Sequence, residues 1–301
     1  MNILTLDVGG TAIKSAVIDE KNELTDVRVT PSSLAGEGNL VRSAIAVAEG
    51  YQGFDVLSVS MTGQIDDKKQ TLLFKYRKTD EMDAGEVNYL VGEKLYEAVK
   101  RPVFLLNDSN AAALGEAYFG AGKNRRDFLC LTYGTGVGGG VIQNGELFTG
   151  QRGIAGEVGH MVTHAGGRLC KCGHRGCYEQ YASTTALLRA ARKHCPELAD
   201  AKQLFEAAQS NPALRRVIGA WEREIVEGLS TLTYIFNPSC IVLGGGVMER
   251  EDVLEQVRRR YYKRVIPTFS KARILPAQLG NQAGMYGAAV YARQRCGITP
   301  L

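Results

Sequence analysis

"ILTLDVGGTAIKSAVID", residues 3–19, is the stretch whose reading decides the fold. An apolar run stops at Asp7, a Gly-Gly-Thr turn follows, and a second apolar run begins after it. The same order recurs in "FLCLTYGTGVGGGVIQ", residues 128–143. Aligned without a gap, Gly10, Thr11, Val17 and Ile18 match Gly134, Thr135, Val141 and Ile142. Each segment then passes through a turn to a Glu-Leu pair, at 23–24 and 146–147. Each therefore reads as a strand, a Gly-Thr loop, a second strand and a hairpin to a third. The two copies lie 124 residues apart, far beyond solenoid periods, which points to a duplicated domain.

Outward from these segments, the first half offers a helix near 38–50, a strand at 56–60, a helix near 86–99, a strand at 103–107 and a helix from 109. The second half is more helical, with helices at 184–194, 201–208 and 213–236. It continues with a strand at 240–246, a helix near 250–263, a strand near 273–276 and a last helix at 283–295. Meanders joined to βα units indicate a mixed α/β sheet in each half, with a ligand expected in a cleft between the halves.

The 301 residues suggest about two domains of ~150 residues. The 35 glycines follow no short period, which excludes collagen-like chains. A net charge of +4, from 36 basic and 32 acidic residues, is too dispersed to argue for nucleic acid. The densest basic run, "RRRYYKR" at 258–264, reads as a solvated helix face. The N-terminal apolar run has no basic flank, so it is not read as a signal peptide. No run approaches the ~20 apolar residues of a membrane span. A cytoplasmic protein is expected, in which clustered cysteines serve a metal rather than disulfides. Cys130 and Cys240 fall in apolar strands and read as buried small hydrophobes.

A Gly-Thr turn lets backbone amides converge on phosphate oxygens, and the threonine adds a hydroxyl. The two loops, Gly9-Gly10-Thr11 and Gly134-Thr135-Gly136, are thus candidate phosphate cradles; the plain alternative for each is a tight hairpin. A third glycine run, Gly244-Gly245-Gly246, follows a strand and is expected to open a helix beside a nucleotide. No GxxxxGK[ST] occurs, and no G-x-G-x-x-G opens the first helix. Asp7 has no acidic counterpart in the second loop and is the candidate partner of Mg²⁺.

His160, Cys170, Cys172 and Cys177 form a Cys₃His set that suits tetrahedral zinc, with His164 and His174 competing for the nitrogen position. The absence of C-x-x-C argues against redox chemistry. Asp108, just past a strand in "LLNDSNAAALGEA", reads either as a helix cap or as a catalytic carboxylate.

"LDVGGTAIK" (6–14), "LNDSNAAALGE" (106–116), "GTGVGGG" (134–140), "AGEVGH" (155–160), "CKCGHRGCYE" (170–179) and "NPSCIVLGGG" (237–246) resemble the ROK sugar kinases, whose name joins repressors, open reading frames and kinases. The likeness spans residues 3–292. It implies an α/β, duplicated actin-like ATPase (ribonuclease H-like) fold with two domains around a central cleft. The expected division is 1–115 plus 283–301 against 116–282. It implies ATP-dependent phosphorylation of a sugar hydroxyl, the 6-OH of a hexose or N-acetylhexosamine, with Asp108 as general base. Gly63, Asn107, Asp108, Glu157, His160 and Glu179 would bind the sugar. Asp7, Gly9, Gly10, Thr11, Lys14, Gly134, Thr135, Gly136, Gly244, Gly245 and Gly246 would bind Mg²⁺ and ATP. It selects His160 over His164 and His174 for a structural zinc, whose clasp would form one wall of the sugar pocket. A homodimer is also implied.

The stretch 62–90 departs from the family by lacking its sugar-contacting Asn, and offers Lys75 and Arg77 instead, read as an edge strand or as new donors. The rival functions are a catalytically silent sugar sensor and an actin-like protein-binding ATPase. Family repressors carry a helix-turn-helix ahead of the first loop, which here begins at residue 7.

Overall fold

The computed structural model describes residues 1–33, 40–75 and 85–298. The chain begins with β1 (Ile3–Val8), β2 (Ala12–Ile18), β3 (Leu24–Pro31), α1 (Leu40–Glu49) and β4 (Val56–Met61). A small sheet of β5 (Ile65–Asp66), β6 (Thr71–Lys75) and β7 (Gly85–Tyr89) follows, then α2 (Val91–Val99), β8 (Val103–Asn107) and α3 (Asp108–Phe119). Next come β9 (Phe128–Tyr133), β10 (Val137–Gln143) and β11 (Glu146–Leu147). They are followed by α4 (Glu179–Ala182), α5 (Thr184–Ala191), α6 (Ala201–Ala207) and α7 (Pro212–Phe236). β12 (Cys240–Gly244), α8 (Glu251–Arg264), β13 (Arg273–Pro276) and α9 (Ala283–Arg295) complete it.

The duplication is visible in the strand order. One sheet runs β3-β2-β1-β4-β8 and the other β11-β10-β9-β12-β13. In the first, β1 pairs antiparallel with β2 and parallel with β4, which pairs parallel with β8. In the second, β12 pairs parallel with both β9 and β13. The strands that flank each Gly-Thr loop occupy matching places.

Two compact units divide the chain: Met1–Arg126 with Gly140–Gly156 and Gln278–Leu301, and Asp127–Gly139 with Glu157–Ala277. In the first, β1 is buried on both faces. Leu4, Leu6 and Val8 pack with Val41, Ala44 and Val47 of α1 and Leu95 of α2. Ile3 packs with Ala289 and Ala292 of α9. The period of two along a strand puts Asp7 on the α9 side. Helix α9 is buried almost all round, as befits a central helix. It meets α3 through glycines: a Cβ at Gly287 would collide with the Ala111 carbonyl, and one at Gly115 with that of Ala283.

In the second unit Cys130 and Cys240 are buried in adjacent strands, as small hydrophobes. Asn211 caps α7 by accepting from Ala213 N and Leu214 N, with Pro212 at the first helical position, where its missing N–H costs no bond.

Three expectations are corrected. Residues 86–89 belong to β7, which pairs Tyr89 with Leu72, and helix α2 starts only at Val91, where Gly92 N donates to Gln70 O. Sheet pairing has overridden helical propensity there. The Gly244–Gly246 run does not open a helix: a turn closed by Met248 N to Gly245 O intervenes, and α8 starts at Glu251. The basic run at 258–264 is only partly solvated. Arg260 Nε donates to Glu222 Oε2 at 3.0 Å, Arg264 pairs with Glu227 at 2.9 Å, and Tyr261 is buried. Arg77 lies outside the described residues, as does the side chain of Lys75.

Candidate active site

The first unit builds one cluster at the ends of β1, β4 and β8. Gly9 N donates to Ala12 O at 3.1 Å, closing the turn, and Ser32 braces it by donating through Oγ to Gly9 O and through N to Thr11 O. Gly10 and Thr11 are left exposed at the tip. Asp7 is opposite Lys14 in the antiparallel pair, so their side chains share a face. Lys14 Nζ lies 3.9 Å from Asp7 Oδ2 and donates to Asn281 Oδ1 at 2.9 Å. Ser60 Oγ donates to Asp7 Oδ1 at 3.0 Å. Burial raises the Asp7 carboxyl above its ordinary range; the Ser60 hydrogen bond and Lys14 oppose that, and the Asp108 charge adds to it. Gly284 leaves room for this carboxylate, since a Cβ there would sit 2.8 Å from Asp7 Oδ1.

Asp108 is the first residue of α3, but it is not the cap. Asn107 caps the helix, its Oδ1 accepting from Ser109 N and Asn110 N, while its Nδ2 donates to Gly63 O at 3.0 Å. Gly63 adopts φ +115, a conformation that favours glycine, and a Cβ there would press on Leu72. Asp108 Oδ1 accepts from Ser109 N at 2.8 Å, and the side chain is half-buried. A carboxylate at a helix N-terminus is stabilised by the amide dipoles.

The second unit carries the other loop. Gly134 and Thr135 are exposed between β9 and β10, and Thr184 N donates to Gly134 O at 2.9 Å. These residues open onto a cavity of about 480 Å³, also lined by Thr184, Phe205, Gly246 and Arg250. The Arg250 guanidinium lies 4.3 Å over the Phe205 ring. The cavity joins the second Gly-Thr loop to the Gly244–Gly246 run, of which Gly246 lines it. Gly245, at φ +96, sits against the Tyr133 backbone where a Cβ could not fit. The size suits a nucleoside, within the usual range for small-molecule sites.

The ligand atoms of His160, Cys170, Cys172 and Cys177 all lie within 4.8 Å of one another. Cys172 Sγ is 3.6 Å from Cys177 Sγ, and Cys170 Sγ 3.7 Å from His160 Nδ1. Ligands on a tetrahedral zinc with bonds of about 2.3 Å stand about 3.8 Å apart, so this donor set fits the ion. Burial lowers the pKa of the His160 imidazole, against the opposing Glu179 charge, which favours the neutral ring whose lone pair a metal needs. Burial also pushes the Cys170 and Cys177 thiols up, the latter to about 11, so a cation is needed to draw off their protons. His164 and His174 are not in the cluster; His164 stacks on Tyr181 at 3.8 Å. Glu157 Oε2 is 3.8 Å from His160 Nε2. Glu179 is buried, with Oε1 accepting from Cys170 Sγ at 3.1 Å and Oε2 3.7 Å from Lys171 Nζ.

Within the first unit the structure gathers Asp7, Lys14, Asn107, Asp108 and Gly63; within the second it gathers the cysteines, His160, Glu157 and Glu179. Sequence reasoning missed Ser60 and Gly284, which meet Asp7, Asn281, which holds Lys14, and Phe205 and Arg250, which line the cavity. Only Ser60 carried a signal: a polar residue ending the buried strand "VLSVS".

The ROK family model matches residues 3–295. The glucokinase of Streptomyces coelicolor is 32% identical over 318 residues, covering 96% of each chain. The N-acetylmannosamine kinase of Yersinia pseudotuberculosis is 31% identical, covering 96% of this chain and 98% of its own. Among solved structures, a ROK family glucokinase from Streptomyces griseus, in complex with glucose and AMPPNP, superposes with a TM-score of 0.83 at 34% identity, covering 98% of this chain and all of that one. Among the described residues no helix is long and apolar enough to cross a membrane. Two sheets of matching strand order, the Cys₃His cluster and a family match along nearly the whole length agree: this chain has the duplicated actin-like α/β fold and belongs to the ROK family.

Proposed function

We propose that this protein is an ATP-dependent sugar kinase that transfers the γ-phosphoryl group of ATP to the 6-hydroxyl of a hexose or N-acetylhexosamine, with Asp108 as general base. The observation that carries the reading is the division of labour at the start of α3. Asn107 caps the helix and ties it to Gly63, which holds Asp108 at the first position of α3 with its Oδ1 on Ser109 N.

Phosphoryl transfer to a hydroxyl needs an acceptor for one proton, in-line positioning and stabilisation of the transferring charge. Asp108 accepts the hydroxyl proton as the oxygen attacks phosphorus. Glu157, His160 and Glu179 supply acceptors and a ring nitrogen for the remaining sugar hydroxyls. The Gly9 and Gly134 amides close their turns, which leaves those of Gly10, Thr11, Thr135 and Gly136 to donate to phosphate oxygens. The cavity lined by Phe205 and Gly246 receives the nucleoside. Asp7 would hold Mg²⁺, which supplies charge neutralisation on the phosphates. His160, Cys170, Cys172 and Cys177 would hold zinc, and with four protein ligands that ion supports the fold rather than the transfer.

The test is Asp108→Asn. The amide keeps the shape and loses the base, so kcat falls by about 10²–10⁴ while sugar affinity by calorimetry is kept. Retained turnover in this variant removes the assigned role.

A further inference from the structure

Both ends of the Cys₃His cluster abut the second Gly-Thr loop. Beside the ligand His160, Gly159 lies so close to the Val137 carbonyl that no Cβ fits between them. Beside the ligand Cys177, Tyr178 is fully buried and its hydroxyl lies 2.9 Å from that of Tyr133. Tyr178 donates its one hydrogen to Ile225 O at 2.8 Å, so Tyr133 donates to Tyr178. The Tyr178 ring packs on Gly228 of α7, where a Cβ would overlap it. Glu179 then stands between the cluster and the loop: Oε1 meets Cys170 Sγ at 3.1 Å, and Oε2 lies 2.5 Å from where a Gly136 Cβ would be. Tyr133 and Val137 bracket the loop, and Gly136 is its last residue.

We infer that Tyr178 is a positioning residue through which the metal clasp and the nucleotide loop act as one body. Drawing His160 to the three cysteines fixes Gly159 and Tyr178, and these fix the two flanks of Gly134–Gly136. The contacts are buried and close-packed, so one arrangement of the clasp corresponds to one arrangement of the loop. Coupling of two sites is reciprocal: nucleotide tightens the metal by the factor by which metal tightens the nucleotide. The inference rests on reading the cluster as a zinc site and the loop as a nucleotide site.

The experiment measures zinc affinity by chelator competition, with and without Mg·AMP-PNP, on the whole chain. In the wild type the nucleotide lowers the zinc dissociation constant roughly fivefold or more. Zinc removal raises the nucleotide dissociation constant by the same factor. In Tyr178→Phe zinc and nucleotide still bind, but the factor falls towards one. Tyr133→Phe behaves alike, and the double variant adds little, because the two hydroxyls form one bond. Tyr133→Phe also carries the test if Tyr178→Phe does not fold. A wild-type zinc affinity indifferent to nucleotide, or a full factor in the hydroxyl variants, overturns the inference while leaving the kinase reading intact. Failure of the wild type to bind zinc or nucleotide at all overturns both, and is distinguished by direct binding of each alone.

Discussion

Lys14 stands opposite Asp7 across the β1/β2 pair, its ammonium 3.9 Å from one carboxylate oxygen and 2.9 Å from Asn281 Oδ1. The amide in the turn just before α9 thus holds the cation that faces the acid at the end of β1. Asn281→Ala frees Lys14 to swing into solvent. Discounted for solvent exposure, the loss raises KM for Mg·ATP roughly three- to tenfold, with a smaller change in kcat. An unchanged KM means that Asn281 does not set the Lys14 position used in binding.

Asp7 makes the fold sensitive to pH in a definite direction. Burial raises its folded pKa above the unfolded one, so the protonated form is the one the fold favours. That contribution is fully present below the ordinary carboxylate range and is lost as pH rises through the raised value. Asp7→Asn, neutral at every pH, therefore melts above the wild type at pH 7, and the two converge in acid. Thermal melts of the nucleotide-free protein across this range check the sign. A variant that melts below the wild type at pH 7 shows that the Lys14 and Ser60 contacts outweigh desolvation.

Gly287→Ala tests the helix contact that backs the site. The added methyl meets the Ala111 carbonyl and forces α3 and α9 apart. Overpacking of this kind costs about 1–3 kcal/mol, which lowers Tm by roughly 2–10 °C. Because Asp108 starts α3, kcat falls in the same variant. A melting point equal to that of the wild type contradicts the close packing of these helices.

Much of the fold was legible because its signals are local. Apolar runs broken by Gly-Thr turns repeat in both halves, and the last helix, 283–295, matches the observed Ala283–Arg295. The strand error fell where pairing at a distance decides. Residues 86–89 became a strand because β6 was available to receive them, and no local pattern announces a partner that begins at Thr71. In the site, the loops and the cysteines announce themselves by residue type and spacing. Asn281, Phe205 and Arg250 do not, because they are ordinary residues on later elements that only folding brings to Lys14 and to the cavity. Asn107, which the family resemblance makes a sugar-binding residue, also caps α3 and holds Gly63, a role that needs coordinates to see.

Metal analysis of the purified chain should return one zinc per chain. Cys177→Ser should lose it and weaken sugar binding, since His160 belongs to the same clasp and Glu179 follows Cys177 by two residues. A metal-free protein that keeps its sugar KM contradicts this account of the clasp.

The most direct measurement is ADP release with Mg·ATP across a panel of hexoses, N-acetylhexosamines and β-glucosides, run beside Asp108→Asn. The account predicts that one sugar drives turnover well above the ATP-only rate and that the variant loses most of it. No stimulation by any sugar, in protein that holds zinc and binds ATP, would contradict the kinase reading and favour a sugar sensor or a protein-binding ATPase.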